Sequence, residues 1–185
     1  QKLKEDLKSI KSAQSTIYIE LKDGADSHLA VDELAKVFGI SSISRAGVFE
    51  KNIDEITKGA CNYLKDELIV AKTFKVETKR ADKKFHLKSP EISAITGGKI
   101  LKSFPHLKVD VKNPDILVTV EIRDTHAYVH GERIKGAGGL PVSSNGKAAI
   151  MISGGIDSPV AAYMMAKRGV TLEAVAKLRP AFQKD

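Results

Sequence analysis

The residues with the clearest chemical potential are two serines, two glycines and an aspartate within the six positions from Ser153 to Ser158. Two adjacent glycines allow backbone amides to approach an anion closely, and the two serine hydroxyls add hydrogen-bond donors. Asp157 would repel a phosphate unless a divalent cation stood between them, so we expect Mg²⁺ beside this carboxylate. The segment predicts a phosphate-binding loop, although it lacks the Gly-Lys-Ser/Thr ending of a Walker A loop.

The residues on either side of this loop predict a strand and a helix. The short apolar run Ala148–Ile152 is typical of a buried central strand in a parallel sheet. We expect Ser158 to cap the helix, Pro159 to be its first residue and Gly169 to end it. Its predicted apolar side consists of Val160, Ala161, Met164 and Met165. A helix start also favours anions, whereas an ordinary strand–helix turn with a Gly-Gly bend is the alternative.

Hydrophobic periodicity predicts helices upstream of the loop. They cover Lys2–Lys11, His28–Phe38, Asn52–Leu68 and a segment that begins at Ser89-Pro90-Glu91. The last is interrupted by Gly97-Gly98, and each glycine costs a helix about 1 kcal/mol relative to alanine. This pair predicts that another backbone, or a ligand, passes close to the helix.

Alternating apolar residues predict strands between these helices. The predicted strands are Thr16–Leu21, Thr73–Thr78, Lys108–Val111, Ile116–Ile122 and Ala127–Val129, and Ile40–Phe49 is also β-prone. The segment Gly136–Pro141 contains three glycines and a proline. It predicts a flexible joint before the strand of the phosphate loop.

Composition favours a soluble, basic protein of the cytoplasm. Thirty Lys and Arg against 23 Asp and Glu give a net charge of +7, which favours a polyanionic partner. Six Phe, four Tyr and no Trp argue against a base-stacking platform and favour recognition of nucleic-acid backbone and shape. The sequence has no membrane-length apolar run and no signal-peptide pattern. Cys61, the single cysteine, suits a reducing compartment and is expected to be buried.

The motifs resemble those of a known family. Ser-Gly-Gly-Ile-Asp-Ser is similar to the signature of the ATP pyrophosphatase (PP-loop) enzymes. The segments FKVETKR, SPEIS…GGKIL, KVDVKNPDILVTVEI and GERIKGAGGLPV resemble a THUMP domain, which binds RNA. A THUMP domain followed by GGLPV and SGGIDSPVAAYMMAKRG resembles the 4-thiouridine synthetase family of tRNA sulfurtransferases.

The resemblance implies an α/β fold in several parts. A partial ferredoxin-like domain would cover residues 1–25, the THUMP domain 26–135 and a linker 136–147. Residues 148–185 would begin a doubly wound parallel-sheet PP-loop ATP pyrophosphatase domain. Leu178-Arg179-Pro180 resembles a much later segment of that domain, so we expect intervening and following residues to be missing. The sulfur-carrying cysteine of the family would lie among them, and Cys61 does not match it.

The resemblance also implies an activity. The family uses ATP to adenylate uridine 8 of tRNA, and sulfur from a persulfide, supplied by a cysteine desulfurase, then replaces the adenylate. It can also provide sulfur for thiamine (thiazole) synthesis. The positions that match its ATP site are Met151, Ile152, Ser153, Gly154, Gly155, Asp157 and Ser158. Asp157 matches the essential catalytic aspartate and would hold Mg²⁺ through the phosphates.

Basic residues around the THUMP strands are expected to contact tRNA phosphates. They are Lys79, Arg80, Lys83, Lys84, Lys99, Lys112 and Arg133. Two alternatives stay open: another RNA-adenylating PP-loop enzyme, and a tRNA-binding module without catalysis. The upstream RNA module and the GGLP segment count against the first, and the intact Asp157 counts against the second. The sequence leaves the oligomeric state open, including a homodimer.

Overall fold

The computed structural model describes residues 3, 5–13 and 15–176, and its chain divides into two compact units. One unit combines the described residues of Gln1–Ile43 and Ile134–Asp185, and the other is Ser44–Arg133. The predicted Leu178-Arg179-Pro180 segment lies outside the described residues. Among those that are described, no helix is both long and apolar enough to cross a bilayer.

The described residues form the following helices and strands. In chain order they are β1 (Leu7–Ala13), β2 (Thr16–Leu21), α1 (Ser27–Ala35), β3 (Ser42–Ile43), β4 (Gly47–Phe49), α2 (Ile53–Tyr63), α3 (Lys65–Val70), β5 (Thr73–Arg80), α4 (Ser89–Ser103), β6 (Lys108–Val109), β7 (Ile116–Ile122), β8 (Ala127–His130), β9 (Ile134–Lys135), β10 (Lys147–Ile152), α5 (Asp157–Lys167) and β11 (Thr171–Ala176). This mixture of helices and strands confirms the predicted α/β class.

The unit Ser44–Arg133 is built on a five-stranded sheet in the order β4-β8-β7-β5-β6. The central pair β5 and β7 is parallel, and β8 joins β7 in antiparallel orientation. One face of the sheet packs against helices α2 and α4 and holds the hydrophobic core. Its fully buried side chains include Ile56, Leu64, Leu68, Phe74, Ile92, Ile100, Val118, Val120, Ile122 and Val129. The predicted strands at Thr73–Thr78 and Ile116–Ile122 are thus confirmed.

Helix periodicity over Asn52–Leu68 predicted one helix, and the structure forms two. Leu64 ends α2 with φ −97° and ψ 18°, and α3 follows directly. Leu64 and Leu68 are both buried in the core, so the break keeps both apolar side chains inside. Cys61 is buried, as expected.

Helix α4 runs through Gly97-Gly98 without interruption. A Cβ built on Gly97 would touch only Val76 Cγ2 at 3.7 Å, and one on Gly98 would meet nothing within 4 Å. The described chain therefore brings no second backbone to these two glycines. Of the two predicted alternatives, a second backbone at this point is wrong for the described residues, and the open space over Gly98 leaves the ligand as a prediction.

The amphipathic helix predicted at Lys2–Lys11 is wrong for the residues that can be compared, because Leu7–Ala13 forms strand β1. Its antiparallel partner β2 follows after a turn at Ser15, and Ile10 pairs with Ile19. A helix of ten residues is marginal in water, whereas a hairpin satisfies the backbone groups of both strands. Lys2 and Lys4 lie outside the described residues.

The segment Gly136–Pro141, predicted as a flexible joint, is instead hydrogen-bonded on two sides. The amide of Gly138 donates to Ile40 O at 2.8 Å, and the amide of Gly39 donates to Gly138 O at 2.9 Å. On the other side, the amide of Leu140 donates to Lys167 O at 2.9 Å. Glycine is needed here for backbone shape and close contact, which a composition-based prediction of flexibility cannot distinguish from mobility.

The strand before the phosphate loop is less buried than expected. In the described residues, β10 pairs only with β11, in parallel, and Met151 is 69 % exposed. The predicted apolar side of α5 is also exposed, with Val160 and Met164 about half accessible to solvent. A parallel strand is buried when neighbouring strands and helices cover both its faces, and the described residues supply one strand and one helix.

Candidate nucleotide-binding loop and basic surface

The loop between β10 and α5 is closed by its two serines. The amide of Ser153 donates to Ser158 Oγ at 3.2 Å, and Ser158 Oγ lies 3.4 Å from both Ser153 Oγ and Ser153 O. The amide of Gly155 approaches Ser153 Oγ at 3.4 Å. These contacts tie the end of the strand to the start of the helix, so the turn keeps a defined shape although it is exposed.

The two glycines of this loop are not required by the fold of the described chain. Neither has a positive φ. A Cβ on Gly154 would meet nothing within 4 Å, and one on Gly155 would lie an ordinary 3.7 Å from Ser153 Oγ. The structure would accept side chains at both positions. What glycine provides here is open space over the backbone, into which a ligand can move.

Backbone donors without protein partners lie in the same loop. Within the described part of the chain, the amides of Gly154 and Ile156 have no protein acceptor. Helix α5 begins at Asp157, so its first amides and the positive end of its dipole add to them. Met151 and Ile152 end the strand directly before the loop. Unpaired donors around an open space form a suitable cradle for phosphate oxygens.

The helix begins two residues earlier than predicted. Ile156 occupies the cap position without a side-chain hydrogen bond, and Pro159 is the third helical residue instead of the first. The expected cap at Ser158 is wrong because its hydroxyl is engaged with Ser153. Proline still fits, since the first turn of a helix makes no use of its missing N–H.

The carboxylate of Asp157 is available for a metal ion. No cation of the described residues lies within ion-pair distance of it, and the residue is exposed at the first position of α5. In the described residues, no three His, Cys, Asp or Glu side chains cluster as possible metal ligands. The residues present fit a Mg²⁺ ion that takes one carboxylate oxygen from the protein and its remaining oxygens from phosphates and water.

Four of the predicted basic residues lie together at the end of β5. Lys79 and Arg80 end the strand, and Lys83 and Lys84 lie in the loop that follows. The other three lie elsewhere: Lys99 in α4, Lys112 in the loop after β6 and Arg133 after β8. The structure therefore groups part of the predicted set and separates the rest.

Arg80 holds the loop that carries Lys83 and Lys84. Its Nη1 donates to the carbonyl oxygens of Phe85 at 3.1 Å and Leu87 at 2.5 Å. A hydrogen bond to a charged donor is worth about 1.5–3 kcal/mol, so these contacts fix the loop against the sheet. The sequence does not distinguish this inward role from a phosphate contact.

A second anchor lies on the other side of the loop. Lys51 Nζ bonds the Asp82 carboxylate at 2.5 Å and the Asp124 carbonyl at 2.8 Å. Contacts from Lys51, followed by the amide of Lys84, lower the pKa of Asp82. The loop 81–88 is thus tied to the turn between β7 and β8, and its lysines are presented on an ordered backbone.

Glu121 is an acidic centre that sequence reasoning missed. Arg123 donates to it at 2.7 Å, and Lys79 Nζ and His130 Nε2 each lie 3.7 Å away. Contact with His130, then hydrogen bonds from Arg123 and the charge of Lys79, lower the pKa of Glu121 to about 2. Arg123 is the direct hydrogen-bond donor, since 3.7 Å exceeds hydrogen-bond length. Glu121 therefore offsets part of the positive charge around Lys79.

Comparison with known proteins gives three family matches along the chain. Residues 1–44 match the ThiI ferredoxin-like domain, 50–130 the THUMP domain and 143–183 the thiamine biosynthesis protein ThiI. A probable tRNA sulfurtransferase of Caldanaerobacter subterraneus subsp. tengcongensis is 46 % identical over 95 % of this chain and 45 % of its own length. One of Thermoanaerobacter pseudethanolicus is 49 % identical over 92 % of this chain and 44 % of its own length.

Two solved structures share the fold. A 4-thiouridine synthetase, crystallised as an RNA complex with bound ATP, superposes with a TM-score of 0.82 at 36 % identity, over 94 % of this chain and 45 % of its own. The protein PH1313 of Pyrococcus horikoshii Ot3 superposes with a TM-score of 0.85 at 32 % identity, over 95 % of this chain and 57 % of its own. The chain spans a little under half the length of the curated relatives it matches. By its three successive matches and these similarities, the chain belongs to the ThiI family.

Proposed function

We propose that this chain is part of an ATP-dependent tRNA sulfurtransferase that makes 4-thiouridine at position 8 of tRNA. The observation that carries the proposal is the open Ser153–Ser158 loop, whose glycines leave space for a ligand that the described chain does not fill. The support from relatives is the similarity to tRNA sulfurtransferases and to a 4-thiouridine synthetase solved with RNA and ATP.

In this proposal the loop binds the phosphates of ATP. The amides of Gly154 and Ile156 and the start of α5 donate to phosphate oxygens, while Met151 and Ile152 lie along the nucleotide. Ser153 and Ser158 keep the loop in shape and offer their hydroxyls. Asp157 is the catalytic residue and the ligand of Mg²⁺. When bound, the ion neutralises the negative charge that develops on the leaving pyrophosphate.

The chemistry would proceed in two substitutions. First, the C4 oxygen of the uridine attacks the α-phosphorus of ATP, and the bond to the pyrophosphate oxygen breaks. Next, the outer sulfur of a persulfide supplied by a cysteine desulfurase attacks C4, and AMP leaves with the former uridine oxygen. After these two substitutions a thiol attacks the inner persulfide sulfur, so that the S–S bond breaks, 4-thiouridine is released and a disulfide forms. The described residues contribute to the first substitution only. Sulfur transfer toward thiazole synthesis is a second function of the same chemistry, consistent with the match to a thiamine biosynthesis family.

We further propose that Lys79, Lys83 and Lys84 contact tRNA phosphates from the ordered end of β5, while Arg80 mainly positions their loop. We propose phosphate contacts also for the three basic residues that lie elsewhere, which are Lys99, Lys112 and Arg133. The proposed boundaries remain 1–25, 26–135, 136–147 and 148–185 for the ferredoxin-like, THUMP, linker and PP-loop parts. A cytoplasmic location and a homodimer complete the proposal.

The test is the 4-thiouridine content of tRNA in a strain that lacks the gene, complemented with variants of the full-length protein. The wild type should restore the nucleoside, and Asp157→Asn should lower it at least 100-fold, because the Mg²⁺ ligand is lost. Glu173→Gln is the matched control: it removes the same charge from an exposed position in β11 and should behave as the wild type. Restoration by Asp157→Asn would remove Asp157 from the mechanism.

A second measurement distinguishes the alternatives. Pyrophosphate release that depends on tRNA, without formation of 4-thiouridine, would indicate another RNA-adenylating enzyme. Binding of tRNA without any pyrophosphate release would indicate a non-catalytic module.

A further inference from the structure

We propose that the segment 136–145, which we call the glycine strap, is a positioning element for the phosphate loop. It holds helix α5 in a fixed orientation relative to the segment Phe38–Ile43, and Gly139 and Phe38 are positioning residues. Both partners of the strap belong to the same compact unit. The structural part of this inference stands alone, and its catalytic part rests on the proposed function.

On one side, the strap extends the pairing of β3 with β9. The amide of Gly136 donates to Ser41 O at 3.1 Å, and Gly138 exchanges backbone hydrogen bonds with Ile40 O and the amide of Gly39. A Cβ on Gly136 would collide with the Ile40 carbonyl. The strap therefore continues a two-stranded ladder at a separation that requires glycine.

On the other side, the strap caps the end of α5. A helix leaves its last carbonyl groups without partners inside the helix. Here Lys167 O accepts from the amide of Leu140, Arg168 O from Asn145 Nδ2 and Gly169 O from the amide of Asn145, each at 2.9 Å. Three consecutive carbonyls at the helix end are thus bonded to strap residues.

A ring contact holds the middle of the same helix. Phe38, which follows α1, meets Tyr163 edge to face, with ring centroids 5.1 Å apart and an interplanar angle of 71°. This is a favourable aromatic geometry. Helix α5 is therefore fixed at its middle and at its end. Because a helix of eleven residues is rigid at this length, these contacts also fix its first residue, Asp157.

Substitutions at two neighbouring glycines distinguish the effect of backbone strain from the effect of losing the contact between the strap and α5. Gly138 and Gly139 both have left-handed φ, +64° and +78°. A Cβ on Gly138 would meet nothing within 4 Å, whereas one on Gly139 would collide with the Lys167 carbonyl. Gly138→Ala thus strains the backbone alone, and Gly139→Ala also pushes the strap away from α5.

The structural test is hydrogen–deuterium exchange on the full-length protein. The amides of Gly138, Leu140 and Asn145 should exchange at least ten times more slowly than in an unstructured peptide. Gly139→Ala should remove the protection of Leu140 and Asn145, and Gly138→Ala should retain it. Unprotected amides in the wild type would show a flexible joint and overturn the proposal.

The catalytic test measures tRNA-dependent pyrophosphate release together with the Kd values of ATP and tRNA. Gly139→Ala and Phe38→Ala should each lower kcat at least tenfold, with both Kd values within twofold of wild type. Phe38→Tyr should restore the rate, and Gly138→Ala should stay within threefold. Because Phe38→Ala introduces no steric collision, its kcat tests the positioning role even if Gly139→Ala does not fold.

Two results would contradict the positioning role. One is equal kcat values for Gly138→Ala and Gly139→Ala, and the other is a loss of kcat explained by weaker ATP binding. If the wild type releases no pyrophosphate, the proposed function fails, while the exchange measurement still decides whether the strap is rigid.

Discussion

At the scale of single residues, charge in this protein is used to hold structure as well as to attract a polyanion. Arg80 is the clearest case, since its guanidinium bonds two carbonyls of the loop it precedes. Glu121 is its acidic counterpart, with the side chains of Lys79, Arg123 and His130 around one carboxylate. Neither role is visible in a count of basic residues, because a sequence does not show which way a strand-end side chain turns.

The ionisation of Glu121 predicts a pH-dependent contribution to stability. Its pKa is about 2 in the folded protein and near 4.5 without these contacts, so the folded state favours the charged form. The contribution is complete above about pH 5 and is lost as the pH falls towards 2. Glu121→Gln should lower the free energy of unfolding at pH 7 by on the order of 1–2 kcal/mol, after discounting for solvent screening.

Urea denaturation of the full-length wild type and variant at pH 7, 4 and 2.5 measures this difference. Glu77→Gln is the control, because Glu77 forms a more exposed pair with Lys75 on the adjacent strand. It should change stability by about 0–1 kcal/mol. A difference for Glu121→Gln that is equal at pH 7 and pH 2.5 would contradict the assignment.

At the scale of elements, the sequence predicts best where one pattern has one structural solution. Strand β7 alternates apolar residues over its whole length, and its predicted bounds are confirmed. The Lys2–Lys11 segment has two solutions, because its few apolar positions fit a helix as well as one strand of a hairpin. The choice depends on pairing with Thr16–Leu21, which is a tertiary contact. The Leu64 break likewise depends on packing in the core.

The phosphate loop shows the same division. Its position between a strand and a helix follows from the local pattern, and both elements are found. The first helical residue lies two positions before the predicted one, because the hydroxyl of Ser158 bonds back to Ser153 instead of capping. The glycine strap is held by Gly39–Ser41, more than ninety residues before it, and by Lys167–Gly169, more than twenty residues after it. No local sequence pattern indicates contacts at these separations.

Helix α4 provides a prediction at this scale. Gly98→Ala should raise the free energy of unfolding by about 0.5–1 kcal/mol, since alanine favours the helix and its Cβ meets nothing within 4 Å. Gly59→Ala in α2 is the matched comparison, because its Cβ would collide with the Phe49 ring. That variant should lose about 1–3 kcal/mol from overpacking.

Thermal unfolding of the two variants measures both effects. A stabilising Gly98→Ala would show that the fold does not need this glycine, and weaker tRNA binding by the same variant would then assign the open space to the ligand. Destabilisation by Gly98→Ala would contradict the observed geometry.

At the scale of the whole molecule, the net charge of +7 favours a polyanionic partner, and the number of phosphate contacts sets how strongly salt should weaken tRNA binding. Each phosphate contact contributes about 0.7–0.9 to the slope of log Kd against log salt, because it releases counterions. Lys83→Ala combined with Lys84→Ala should therefore reduce the slope by about 1.4–1.8. Lys36→Ala is the control, since Lys36 is paired with Glu33 at 2.7 Å and is not among the proposed contacts. It should leave the slope unchanged.

Arg80 completes this prediction, because its loss should act through the two lysines. Arg80→Ala removes the guanidinium that bonds the Phe85 and Leu87 carbonyls of the loop 81–88, so Lys83 and Lys84 should no longer be held in a fixed position. Its slope should fall nearly as far as that of the double lysine variant. Adding Arg80→Ala to that variant should then change the slope little further, because the lysines it positions are already gone. Titration of tRNA at several salt concentrations measures the slopes of the wild type and of the four variants. Additive losses in the triple variant would show that Arg80 contacts phosphate independently.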